Sequence, residues 1–140
     1  DEYQALGGKL CVTYRNYFLA DTLRIAGRVP QAIELIEQTL DSGKERFEHF
    51  YDAELIRLRG DCALEQGDTT FAVSHFRKAY ELAARQGAKL PEIRGAVRLL
   101  QHAPEKKIAQ RLHELRDELR KGLGQSDLSA AEAALDKVDL

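Results

Sequence analysis

The sequence contains no methionine and no tryptophan, only three prolines and only two cysteines. Each scarcity excludes something. The prolines, Pro30, Pro91 and Pro104, leave long stretches free of the residue that breaks a helix from within. Cys11 and Cys62 are far apart and have no CxxC or Cys/His ligand spacing beside them. They read as small buried apolar residues in a reducing cytoplasm. Charge of one sign is also lacking: 21 Lys and Arg face 23 Asp and Glu, a net charge of −2. No global basic field exists to hold a nucleic-acid backbone or an anionic membrane. No apolar run approaches the roughly 20 residues of a membrane span, and the opening DEYQALGG has no signal-peptide core. With no methionine even at position 1, the expectation is a fragment of a larger protein.

Strand signals are missing too. No stretch alternates apolar and polar residues over strand length, and Gly67-Asp68 is in the reverse order for a hairpin turn. What is present is helical. After Gly67 the apolar residues Phe71, Phe76, Ala79, Tyr80, Leu82 and Ala83 form a stripe of period near 3.6. Each proline precedes such a stretch, where the first turn of a helix tolerates it. Gly27, Gly43, Gly67, Gly87 and Gly122 stand at helix exits, and Gly7-Gly8 reads as a helix break. The spacing predicts helices over 9–26, 30–41, 45–66, 69–86, 91–102 and 104–121, with a last one over 127–138 capped by Ser126. Their short connections make neighbours antiparallel, giving hairpins over 9–41, 45–87 and 90–121 and a closing helix over 126–138. The 140 residues suit one all-α domain.

The hairpins repeat. Aligning AGRVPQAIELIEQTL (26–40) with QGDTTFAVSHFRKAY (66–80) puts Gly27 on Gly67, Ala32 on Ala72, Ile36 on Phe76 and Leu40 on Tyr80, a period of 40 residues. A weaker third copy places Ile108 and Leu112 on Ala72 and Phe76. A fixed period of this size marks a solenoid, in which each unit buries its apolar face on the next. Ala32 and Ala72 mark the points where paired helices cross, and Ile36 and Phe76 fill the gap one turn on.

Gly60, Gly67-Asp68, Ala72, Phe76 and Ala79 resemble the helix contact, turn, crossing alanine and packing ring of a tetratricopeptide repeat. The run AELIRLRGDCALEQGD…AVSHFRKAYELAARQGAK (53–89) resembles the C-terminal repeats of large bacterial signalling ATPases. Those proteins carry an adenylate cyclase or a DNA-binding transcription-regulator domain ahead of an ATPase domain. YRNYFLADTLRIAGR (14–28) and SDLSAAEAALDKV (126–138) are similar to the preceding repeat and closing helix of that region; around His102–Pro104 the chain is about one helical turn shorter than the family pattern. The resemblance implies helical hairpins stacked as a right-handed superhelix. It also implies a cytoplasmic regulatory module whose parent keeps cyclase or ATPase chemistry outside this chain.

The residues themselves offer no catalytic constellation. His49, His75, His102 and His113 form no HExxH motif and no i, i+4 pair, and read as solvated or half-buried. No phosphate-cradling glycine loop and no serine elbow occurs, so neither enzyme chemistry nor a cofactor or metal is expected. Lys106, Lys107, Arg111, Arg116, Arg120 and Lys121 interleave with Glu105, Glu114, Asp117 and Glu118, the pattern of a solvated helix rather than a phosphate-binding stripe. Ile108, Leu112, Leu115 and Leu119 read as a core face before a coiled-coil seam.

The resemblance implies that the first helix of each hairpin lines a groove for a partner peptide or domain. The groove candidates are Tyr14, Tyr17, Asp21 and Arg24 in the first hairpin and Glu54, Arg57, Asp61 and Glu65 in the second. Tyr and Arg suit this role because they bury area and hydrogen-bond at modest entropic cost. Tyr14 and Tyr17 either meet a partner or pack on the hairpin before theirs. Removal of the Tyr17 or Arg57 side chain is expected to leave stability nearly unchanged. Mixed charge speaks against a clamp for a terminal carboxylate, which needs several cations converging. The alternative role is a structural spacer or self-association module, with the apolar end face of the first helix pairing in a homodimer.

Overall fold

The computed structural model describes residues 2–42, 49 and 51–138, with side chains from residue 12 onward. Among these residues there are seven helices and no strand: α1 (Glu2–Ile25), α2 (Val29–Asp41), α3 (Asp52–Glu65), α4 (Thr69–Gln86), α5 (Lys89–His102), α6 (Lys106–Leu119) and α7 (Gln125–Asp136). The predicted start of the third helix at 45 and the exit at Gly43 lie outside the described residues.

Three helix exits share one geometry. Gly27, Gly67 and Gly87 have φ of 80°, 81° and 67°, a region that costs other residues strain. After each, the next amide reaches back to a carbonyl of the last turn: Arg28 to Leu23 (2.8 Å), Asp68 to Ala63 (2.9 Å) and Ala88 to Ala83 (2.9 Å). Asp68 then caps α4, its carboxylate accepting from the Phe71 amide at 3.0 Å.

Four local expectations are corrected. Gly7-Gly8 does not break α1, because good helix formers flank the pair and each interior glycine costs only ~1 kcal/mol. Gly122 is not left-handed; α6 ends at Leu119 with Arg120 still in helical geometry. Ser126 lies inside α7 and caps nothing; the cap position belongs to Gly124, whose backbone is extended. Pro91 and Pro104 do not open their helices. Pro91 is the third residue of α5, where the amides have no intrahelical acceptor anyway, and Pro104 lies two residues ahead of α6.

Each helix packs on the next, and α3 with α4 makes the closest-knit pair. Odd-numbered helices also approach one another (α1 with α3, α3 with α5, α5 with α7), whereas α2 and α4, or α4 and α6, do not. The stack therefore curls toward the odd helices, and their exposed side is the inner face.

The predicted crossings lie in the core, with Ala32 and Ala72 both fully buried. A methyl group on Gly60 would meet the Phe76 ring at 2.6 Å and the Ala72 carbonyl at 3.1 Å, so α3 and α4 touch backbone to backbone there. A second close approach was not anticipated: a methyl on Gly95 would lie 3.0 Å from the Tyr80 Cα, which lets α5 settle against α4. Ala32 and Ala72 stand at the fourth residue of α2 and α4. The fourth residue of α6 is Ala109, fully buried, so counting from the helix start moves the third copy one place from Ile108.

The core divides into two clusters that share α3. Ala20, Ala32, Ile36, Leu55, Leu58 and Cys62 form the first. The second gathers Ala63, Ala72 and Phe76 with the inward faces of α5, α6 and α7, including Ile108, Leu112 and Leu115.

Candidate functional site

The inner face is organised by ion pairs that run from helix to helix. On α1, Arg24 bonds Asp21 one turn earlier (2.9 Å) and crosses to Glu65 on α3 (2.6 Å). On α3, Glu54 pairs with Arg57 and also accepts from Arg94 of α5 at 2.6 Å. Asp61 holds Arg98 of α5 at 2.8 Å. Arg94 makes a two-pronged pair with Asp127 of α7, both contacts at 3.0 Å.

Seven of the eight groove candidates take part in these contacts, which fall into three separate sets: Asp21–Arg24–Glu65, Asp61–Arg98, and Tyr17–Arg57–Glu54–Arg94–Asp127. Tyr17 joins through its hydroxyl, which accepts from Arg57 Nη2 at 2.7 Å, and its ring meets Phe18 and Tyr51. Tyr14 stays apart and half-exposed, its ring edge-on to Tyr51 at 5.2 Å. Tyr17 thus packs within the chain, against Tyr51 and Arg57 of the following hairpin, and borders the inner face.

Arg57 overturns the expectation that it is a surface residue. It is only 6% exposed, alongside Glu54 (4%) and Asp61 (8%). The long side chain lies between α1 and α5, where its guanidinium meets Glu54 and Tyr17. Burial lowers its pKa, and the positive charges of Arg98 and Arg94 push the same way, against Tyr17 and Asp61. Its Nε is buried without a hydrogen-bond partner.

A cleft of about 250 Å³ opens where these residues meet. Arg57, Arg94 and Arg98 border it with Tyr17 and Asp127, and Ile93, Val97 and Ala130 supply apolar surface. Three guanidiniums thus border one cavity, each paired with a carboxylate: Arg57 with Glu54, Arg94 with Glu54 and Asp127, and Arg98 with Asp61. Sequence reasoning missed Arg94 and Arg98 because it carried the groove positions through two hairpins and stopped. Their spacing of four residues on the helix after Gly87 places both on one face, a signal that was available.

Arg59 lies over the Phe71 ring at 4.5 Å, and His75 stacks on the same ring at 4.1 Å between centroids. Arg111, Arg116 and Arg120 of the basic-acidic segment each pair with an acid (Glu92, Asp117 and Glu132). Among the described residues no group of three His, Cys, Asp or Glu side chains gathers as a metal site would.

A family model described as tetratricopeptide repeat matches residues 10–85, more than half of the chain. This chain belongs to the tetratricopeptide repeat family. No curated protein and no solved structure matched. Tetratricopeptide repeats are in general protein–protein interaction modules and are typically non-catalytic. No helix of the described residues is long and apolar enough to cross a membrane.

Proposed function

We propose that the chain is a single non-catalytic repeat domain, part of a larger protein, that binds a partner peptide or domain along the inner face formed by α1, α3, α5 and α7. The observation that carries this reading is the convergence of Arg57, Arg94, Arg98 and Tyr17 on one cleft with an apolar floor. Such a surface offers rigid anchors and directional donors together. The resemblance of 53–89 to repeats of bacterial signalling ATPases supports a cytoplasmic, regulatory setting, with the cyclase or ATPase chemistry of the parent elsewhere. No nucleic acid or membrane partner enters this reading.

Selection of displayed random peptides on the 140-residue chain tests it. Peptides that bind should lose about tenfold or more in affinity against Arg98→Ala, the range for truncating an interface anchor. Peptides that bind Arg98→Ala and the native chain equally contradict the groove.

A second reading, self-association, has its own observation. Val12, Tyr14, Phe18, Leu19 and Ile25 of α1 are each 40% or more exposed, an apolar face unlike that of any other helix described. Light scattering over a dilution series reads it: a dimer abolished by Phe18→Glu supports this reading, and a monomer at all concentrations removes it.

A further inference from the structure

The inner cleft contains a carboxylate that the chain supplies itself. Asp127 sits on α7 and borders the cleft, and both its oxygens are engaged by Arg94 Nε and Nη2 at 3.0 Å. A two-pronged pair of this kind is what an acidic side chain from a partner would make with the same guanidinium. We propose that Asp127 is a resident occupant, so that an acidic side chain of a partner peptide enters the cleft by displacing it from Arg94. This rests on the inner face being the partner-binding surface.

Three observations favour exchange at this carboxylate over the others. The Arg94–Asp127 pair is partly open to water, with side chains 33% and 24% exposed, whereas the Glu54 side chain is 5% exposed and bonds two arginines. Replacing one carboxylate by another leaves the charge of the cleft unchanged, so the exchange avoids stranding a cation. α7 is also lightly held. Its N-terminus has no side-chain cap, and only Ala131, Ala134 and Leu135 are buried.

Donors remain to receive the newcomer. Displacing Asp127 frees Arg94 Nε and Nη2, and Arg57 borders the same cleft. The cleft of about 250 Å³ is smaller than a site for a drug-sized ligand and suits one or two side chains. The stem of a Glu side chain would lie along Ile93, Val97 and Ala130. Asp127 then sets a threshold: only partners that outcompete a tethered carboxylate bind.

Glutarate serves as the probe, being a dicarboxylate close to a Glu side chain in size. Its binding is followed through the arginine Nε–H signals of Arg57, Arg94 and Arg98 by NMR. Asp127→Asn should bind glutarate about tenfold more tightly than the native chain. Glu132→Gln, which weakens the α7–Arg120 contact away from the cleft, should leave affinity unchanged. In the native chain, which needs no substitution, saturating glutarate should speed amide exchange across 125–136. Equal affinity for native and Asp127→Asn chains overturns the displacement while the groove stands. A gain shared by Glu132→Gln also overturns it, since loosening α7 alone would then suffice. No glutarate binding to any chain overturns it as well, and the peptide selection with Arg98→Ala reads separately whether the groove itself fails.

Discussion

The first two hairpins solve one packing problem with different pairs of residues. In the second, Gly60 faces Phe76 so closely that a methyl would enter the ring at 2.6 Å. In the first, 40 residues earlier, Ala20 and Ile36 hold the corresponding places, and both are fully buried. The smaller Ile leaves room for the methyl that the larger Phe forbids. The total volume at the crossing is conserved while its division between the two helices changes, as expected of a core packed to crystal density.

That comparison is broken most severely by Phe76→Ala, which should cost ~3–5 kcal/mol by emptying an aromatic site, measured by thermal or urea melting. Arg57→Ala should cost about 3 kcal/mol, near the low end for stranding a buried charge, because Glu54 keeps Arg94. Among the described residues the first hairpin shows no buried ion pair, so no such loss is expected from Arg15→Ala, an exposed position. Gly60→Ala should cost ~1–3 kcal/mol through overpacking, and Ala72→Leu a similar amount. Adding Phe76→Ile to Gly60→Ala should recover much of that loss, because the second crossing then carries the residues of the first. A double-mutant cycle that shows simple additivity would mean that the two positions do not share the space described. The smallest effect concerns Cys62, in the first core cluster. Burial pushes its thiol up to about 11, so in a Cys11→Ser chain a thiol reagent at pH 8 should label it only after denaturant is added.

Much of this architecture was legible because it depends on local steric rules. The 40-residue period, the left-handed turns at Gly27, Gly67 and Gly87, and the buried Ala32 and Ala72 all follow from short-range spacing. Gly122 and Ser126 were misread because a glycine or serine near a helix end is compatible with several geometries, and tertiary packing selects among them. Gly95 was missed because its reason lies on another helix, at Tyr80.

The inner face was legible in part. The resemblance to tetratricopeptide repeats pointed to Tyr14, Tyr17, Asp21, Arg24, Glu54, Arg57, Asp61 and Glu65. It did not reveal that Arg57 would be buried, with Tyr17 of another helix as its partner. Nor could spacing within hairpins bring Asp127, 33 residues beyond Arg94, to the same cavity.

The central claim is that the inner, odd-helix face receives the partner. Mapping a selected peptide onto the chain by amide and arginine side-chain NMR shifts tests it most directly. The account predicts the largest changes at Tyr17, Arg57, Arg94 and Arg98. Changes centred instead on Arg59, Phe71 and His75, or on the exposed face of α1, would contradict it.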